Sequence, residues 1–360
     1  MGKPGRGWDH GERFQPAREV DIRYGNDIVK KESAGWPAYL AITSPTAWKT
    51  AQPFLSRSPV ATAMISSLDW DDLHAQSDTL PNTARLVVAV GAGKVLDAAK
   101  FFALKKDLPI ILVPTAVSTG AIIHGVFARF KGKTSIPGGA AAWPYCDCEH
   151  VMVDYALNLL APERLNTAGL GDLFCGFGGI SEWRYSAKKG LAPADLEAAV
   201  APTLNHHKRV EDEFQKSLKN GRLADMSIQV IMKAIQDRDD IGVKSPHAPA
   251  VDHQLFNLVE PNVAQATLIH GELTALVAVV VAWAAGQPDE LVQRLERCKV
   301  RFRPLAVGIT RAEFKKILEN TPEFLKGRGV NSVLGREPVT GDRFDALWSF
   351  LEPKDARRSA

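Results

Sequence analysis

The sequence is poor in cysteine, with four in 360 residues: Cys146, Cys148, Cys175 and Cys298. Four scattered thiols do not make a disulfide framework. Cys146 and Cys148 form a CxC with no second pair at zinc-site spacing, so all four are read as inert, buried thiols. Long apolar runs are missing too. The most apolar stretch, Leu273 to Ala285, is about a dozen residues and too short to span a bilayer. It reads as a buried helix. The first twenty residues, MGKPGRGWDHGERFQPAREV, are polar and glycine-rich with no apolar signal core. No charge of one sign dominates: 44 Lys and Arg face 41 Asp and Glu, a net charge of +3. The basic residues are scattered rather than set in a stripe with aromatics, which excludes a nucleic-acid partner. There is no internal repeat and no low-complexity segment. These absences leave a cytoplasmic globular protein with no membrane partner.

What is present is concentrated between Arg85 and Gly125. Arg85 to Val90 is a short apolar, β-branched run and reads as a buried strand. Gly91-Ala92-Gly93 then turns the chain without Cβ crowding at the two glycines. Val95 to Leu104 has helical spacing, with Asp97 near the helix start. Leu108 to Val113 is a second buried strand, stopped by Pro114. Strand, glycine turn, helix and strand make one βαβ unit. Its turn lies where backbone N–H groups and a helix N-terminus suit a phosphate or pyrophosphate. Thr115, Ser118 and Thr119 add three hydroxyls at the same sheet edge.

Around this unit, Tyr39 to Ser44, Ala61 to Ser66 and Val151 to Asp154 read as further strands. Alternating strands and helices indicate a doubly wound parallel sheet. Asp69, Asp71 and Asp72 follow the Ala61 strand. An acid there can hydrogen-bond a ribose hydroxyl, and it can equally belong to a solvated loop. From Leu157 onward helical patterns take over, at 162–187, 194–219, 222–238, 262–286, 288–298 and 311–319. The expected organisation is a tail over 1–19, a nucleotide-binding α/β domain over 20–158 and an all-α domain over 159–360. The cleft between the two domains is the default active site.

Three helical-domain segments carry possible ligands. Asp172 sits in Ala168-Gly169-Leu170-Gly171-Asp172, which reads as a glycine-rich helix break. His253 lies in Ala250-Val251-Asp252-His253. His270 lies in Leu268-Ile269-His270-Gly271-Glu272, opening the long apolar helix. One carboxylate and two imidazoles suit a borderline divalent metal with positions left for substrate oxygens. Their spacing fits no compact metal motif, and nine histidines make such a trio easy to assemble.

The order GAGKVLDAAKFFA, LPIILVPTAVST, APERLNTAGLGDL, AVDHQLFNLVE and LIHGELTALVAV resembles the iron-containing alcohol dehydrogenase superfamily. Within it, the set is most similar to the glycerol-1-phosphate dehydrogenases, and next to glycerol dehydrogenase and dehydroquinate synthase. The similarity covers roughly residues 85–320 and extends to PLAVGITRAEFKKIL. The resemblance implies a Rossmann-like parallel-sheet domain followed by an all-α domain, the dehydroquinate synthase-like fold. It implies NAD(P) at Gly91, Gly93, Lys94, Asp97, Thr115, Ser118 and Thr119. It implies one divalent metal (zinc, iron or nickel) on Asp172, His253 and His270, and a homo-oligomer.

Three departures from the family pattern follow. Ala92 stands where the family has the middle glycine of its turn. Gly120 stands where the family has an aspartate next to the nicotinamide. Asn257 stands where a further histidine often follows the His253 position. His124, one helical turn past Gly120, is read either as a substrate-binding or proton-relaying imidazole or as a structural histidine. Lys131 and Lys133 would make the pocket mouth cationic for a phosphorylated substrate, or lie on a solvated loop. The expected activity is a metal-dependent NAD(P) oxidoreductase of a small polyol or polyol phosphate, with His124, Asp172, His253 and His270 carrying the chemistry. The alternative is a dehydroquinate synthase-like sugar-phosphate cyclase or lyase that uses bound NAD. A third reading is a binding protein that has lost hydride transfer.

Overall fold

A computed structural model of the chain describes residues 6–8, 20–132, 134–135, 144–242, 244–264 and 268–353. They divide into two compact units. The first holds the described residues up to Asn166 together with Lys219–Gln229, and the second holds Thr167–Leu218 and the residues from Val230 onward.

The first unit is built on a six-stranded sheet. Its strand order is Ile22–Gly25, His150–Asp154, Ile110–Pro114, Leu86–Gly91, Tyr39–Thr43 and Ala61–Met64, and every pairing is parallel. The central strands are buried from end to end, as their uninterrupted apolar runs require when helices cover both faces. Strand Ile22–Gly25 has no apolar run to announce it and is an addition to the sequence reading. Pro114 is the last residue of its strand rather than a stop before its end. Arg6–Gly7, within the stretch read as a tail, pairs antiparallel with Tyr145–Cys146.

In the second unit the fold is helical, and among the described residues no strand follows Asp154. The helix His270–Ala284 is buried almost all round. It packs against the helices Gly176–Lys188 and Val251–Asn262, which explains a run too apolar for a surface helix. The continuous 162–187 helix expected from sequence is two helices, Glu163–Phe174 and Gly176–Lys188, joined at Cys175. Conversely, no break occurs over Ala168–Asp172, where the Glu163–Phe174 helix runs straight through. The expected 262–286 helix begins only at His270, and a separate helix, Val251–Asn262, carries His253 in its first turn. No helix of the described residues is long and apolar enough to cross a membrane.

Candidate functional site

In the first unit the glycine turn sits at the carboxyl end of a central strand. Gly91 closes strand Leu86–Gly91, Ala92 is extended (φ −114°, ψ −179°), and Gly93 opens the helix Gly93–Lys105. A Cβ on Gly91 would lie 2.6 Å from the Val95 Cβ, so any side chain there would displace the first turn of the helix. On Gly93 it would lie 3.1 Å from Thr119 Cγ2. The glycine turn and the Thr115–Thr119 loop therefore close on one spot. Thr115 N–H donates to the Gly91 carbonyl at 3.0 Å. The first N–H groups of the helix have no acceptor within it, and Ala92 supplies no side-chain cap. This cradle, open because two residues lack a Cβ, fits a phosphate or pyrophosphate.

The neighbouring predicted residues divide by role. Lys94 is exposed on the first turn and Ser118 is buried. Thr119 caps the short turn Gly120–Ile122. Asp97 is committed to the fold: its Oδ1 lies 3.4 Å from Lys100 Nζ, and its Oδ2 accepts from Ala128 N–H at 3.2 Å. Lys100 is 1% exposed and donates to the Ala121 carbonyl at 2.7 Å, so this pair pins both ends of the Ala121–Ala128 segment that carries His124. The His124 N–H donates to the Gly120 carbonyl at 3.1 Å. Lys131 is exposed on the edge of a hairpin, and its charge acts on Asp69. Lys133 lies outside the described residues. Asp69 is tied into the local structure rather than left on a loose loop. It caps the helix Trp70–Thr79 and accepts from Gly132 N–H at 2.6 Å.

Two buried asparagines missed in the sequence hold the hydroxyl loop. Asn166 Oδ1 accepts from Val117 N–H at 2.9 Å, and its Nδ2 donates to the Asn158 carbonyl. Asn158 Nδ2 donates to the Pro114 carbonyl at 3.1 Å. Asn166 lies in the middle of APERLNTAGLGDL, but nothing local distinguishes it from a helix-surface amide.

The second unit brings together Asp172, His253 and His270, whose ligand atoms lie within 4.8 Å of one another. Asp172 Oδ1 is 3.3 Å from His270 Nε2 and 3.6 Å from His253 Nε2. Glycines make this possible. A Cβ on Gly271 would fall 1.8 Å from the Ala168 carbonyl oxygen, and one on Gly171 would fall 2.2 Å from the Gly271 oxygen. The helices Glu163–Phe174 and His270–Ala284 thus touch backbone to backbone, directly beside Asp172 and His270. The glycines of GLGD and HGE are there for that contact.

Two groups absent from the sequence reading complete the surroundings. Arg238 Nη1 contacts the other Asp172 oxygen, Oδ2, at 2.5 Å. Asp252 Oδ2 contacts His253 Nδ1. Burial works to raise the Asp172 carboxyl, but Arg238, His270 and His253 outweigh it and hold it well below the usual carboxylate range. For His253, burial works to lower the imidazole, and Asp252 and Asp172 reverse this, raising it to about 10. A carboxylate ionised under all ordinary conditions and two imidazoles with Nε2 turned towards it are a donor set that fits a borderline divalent cation.

Residues 41–162 match the family model described as iron-containing alcohol dehydrogenase. The glycerol-1-phosphate dehydrogenase [NAD(P)+] of Saccharolobus solfataricus is 24% identical over 310 residues, covering 83% of this chain and 85% of that protein. The enzyme of the same name from Pyrobaculum arsenaticum is 26% identical, covering 79% of each chain. The chain is thus similar to iron-containing alcohol dehydrogenases, through the family model over 41–162 and through these relatives over most of its length.

The fold is shared with solved structures. The glycerol dehydrogenase of Schizosaccharomyces pombe superposes with a TM-score of 0.66 at 15% identity, over 98% of this chain and 94% of that one. A sulfoacetaldehyde reductase from Bifidobacterium kashiwanohense, solved in complex with NAD+, gives 0.57 at 18% identity, over 98% of this chain and all of that one. Against the family pattern the chain departs at Gly120, which is buried at the start of a tight turn and brings no carboxylate. Asn257 lies one turn beyond His253 on the same helix.

Proposed function

We propose that this protein is a metal-dependent NAD(P) oxidoreductase acting on a small polyol phosphate, with dihydroxyacetone phosphate and glycerol 1-phosphate as the first pair to test. The convergence of Asp172, His253 and His270 from three helices carries the reading. A bound divalent cation would polarise a substrate carbonyl and stabilise the matching alkoxide, while the nicotinamide supplies or accepts the hydride. The ligands for that cation are Asp172 Oδ1, His253 Nε2 and His270 Nε2. Zinc, iron and nickel all suit this set.

The remaining work belongs to the chain's own groups. The open N–H groups at Gly93 and Lys94 bind the dinucleotide's phosphates. Asn158 and Asn166 fix the Thr115–Thr119 loop against them. Because Gly120 removes the family's carboxylate, proton delivery and substrate orientation fall to His124, held in place by the Lys100–Asp97 pair. Lys131 adds positive charge for a phosphorylated substrate. The buried, unpaired state of all four cysteines is compatible with a reducing, cytoplasmic setting.

The test is dihydroxyacetone-phosphate-dependent oxidation of NADH and NADPH by the metal-loaded protein, with Asp172→Ala as control. Turnover that disappears in the variant is the expected result. Release of inorganic phosphate from sugar phosphates without net NADH consumption would favour the cyclase or lyase. Tight NAD binding without turnover on a broad polyol and sugar-phosphate panel would favour a binding protein.

A further inference from the structure

An imidazole offers a metal whichever nitrogen is not otherwise engaged, so the partner of the second nitrogen decides how the ring is presented. In His253 that partner is Asp252, whose Oδ2 contacts Nδ1. The Nε2 atom is left facing Asp172 Oδ1 at 3.6 Å. The two residues are consecutive on the first turn of the helix Val251–Asn262. Neighbouring side chains on a helix do not normally face each other, so their pairing is a specific arrangement.

Asp252 is also 4% exposed. A carboxylate in a first turn gains from the helix dipole while remaining solvated, so the dipole does not explain why this one is buried. A buried carboxylate needs hydrogen-bonding partners. Besides His253, its carboxylate has the buried Cys175 sulfur within 4.8 Å, and that thiol donates to the Asp172 carbonyl at 3.0 Å. The same pattern recurs at the neighbouring ligand. Arg238 takes Asp172 by Oδ2, leaving Oδ1 to the imidazoles.

We propose that Asp252 is a positioning residue of the metal centre. It accepts the Nδ1 hydrogen of His253 and locks the ring with Nε2 towards the cation. The inference rests on the metal-site reading above. It also opposes a different use of the same atoms, because Cys175, Asp252 and His253 themselves lie close enough to hold an ion. In the proposed arrangement Cys175 keeps its proton and stays outside the coordination sphere.

The experiment is zinc affinity of the full chain by competition with a chelating dye, for the parent, Asp252→Asn and Asp252→Ala. Removing an outer-shell partner of a metal-bound histidine weakens metal binding about 10- to 100-fold. Asp252→Ala is expected at the upper end. Asp252→Asn keeps an acceptor for Nδ1–H and is expected to recover most of the loss, staying about tenfold weaker than the parent. Should the alanine variant fail to fold, the asparagine variant decides alone. Zinc binding by it within twofold of the parent would overturn the proposal. Cobalt substitution supplies a second readout. The expected spectrum lacks a sulfur-to-cobalt charge-transfer band, and a strong band that vanishes in Cys175→Ser would make Cys175 a ligand and overturn the proposal. A parent that binds no divalent metal would overturn the metal-site reading with it. A parent that binds metal alongside unaffected Asp252 variants would remove only the role of Asp252.

Discussion

The two candidate sites, one in each unit, are made in opposite ways. In the first unit the phosphate cradle is backbone, contributed by one continuous βαβ stretch in which Gly91, Gly93 and Thr119 are fewer than thirty residues apart. In the second unit the candidate metal ligands are side chains from three separate helices, with Asp172 and His270 nearly a hundred residues apart. The cradle depends on absent side chains and on local strand and helix geometry. The metal centre depends on packing that brings distant helices into register. A local site survives distant perturbation, whereas a convergent site fails when any helix shifts.

The largest expected effect removes a ligand outright. Asp172→Ala should lose stoichiometric metal and lower kcat/KM about a thousandfold, since metal stabilisation of developing charge is worth several kcal/mol. NADH binding should be kept, as measured by fluorescence titration. If that binding fell in parallel, the two sites would not be independent.

Next comes a change that touches no ligand. Gly271→Ala puts a methyl where the Ala168 carbonyl already lies, 1.8 Å away. The helices must part, at a cost of about 1–3 kcal/mol in stability. Denaturant unfolding and metal analysis of the purified variant should show loss of both stability and metal. Normal metal content would mean that the backbone contact does not set the ligand geometry.

The reciprocal change is Gly93→Val, which crowds Thr119 and covers the helix N-terminus. NADH affinity should weaken about tenfold or more, with metal content unchanged. Calorimetry of both ligands on both glycine variants would complete the crossed comparison.

A separate effect, felt only in acid, is a pH slope carried by the helical unit. His207 is buried between Phe174 and Phe177. Burial, reinforced by Arg294 and His206, lowers its imidazole from an ordinary 6.5 to about 3. Between those values the unfolded chain binds a proton that the folded chain refuses. Stability therefore falls as pH falls, by about 1.4 kcal/mol per pH unit across that window, and is unaffected above it. His207→Phe should flatten the slope in urea melts at pH 4 and pH 7, and an unchanged slope would assign the acid sensitivity elsewhere.

Much of the first unit was legible in the chain. Strands Tyr39–Thr43, Leu86–Gly91 and Ile110–Pro114 have apolar runs long enough to need cover on both faces, and Gly91-Ala92-Gly93 marks the turn between strand and helix. Strand Ile22–Gly25 was not legible, because Ile-Arg-Tyr-Gly has no apolar period of its own and acquires its strand from pairing with His150–Asp154. The glycines of Gly169-Leu170-Gly171 suggested a helix break because glycine weakens an isolated helix. Tertiary contact with Gly271 gives Gly171 a different purpose, and the helix stays whole.

By itself, then, the sequence determined the parallel sheet, the phosphate-facing glycine turn and the helical character of the second unit, since each rests on interactions among neighbouring residues. The motif order added Asp172, His253 and His270 only through resemblance. Tertiary structure alone decided that Arg238 grips Asp172, that Asp252 contacts His253 Nδ1, and that Lys100 and Asp97 tie down Ala121 and Ala128. Those choices depend on which buried polar groups meet across helices, and a buried charge takes whatever partner the packing brings within reach.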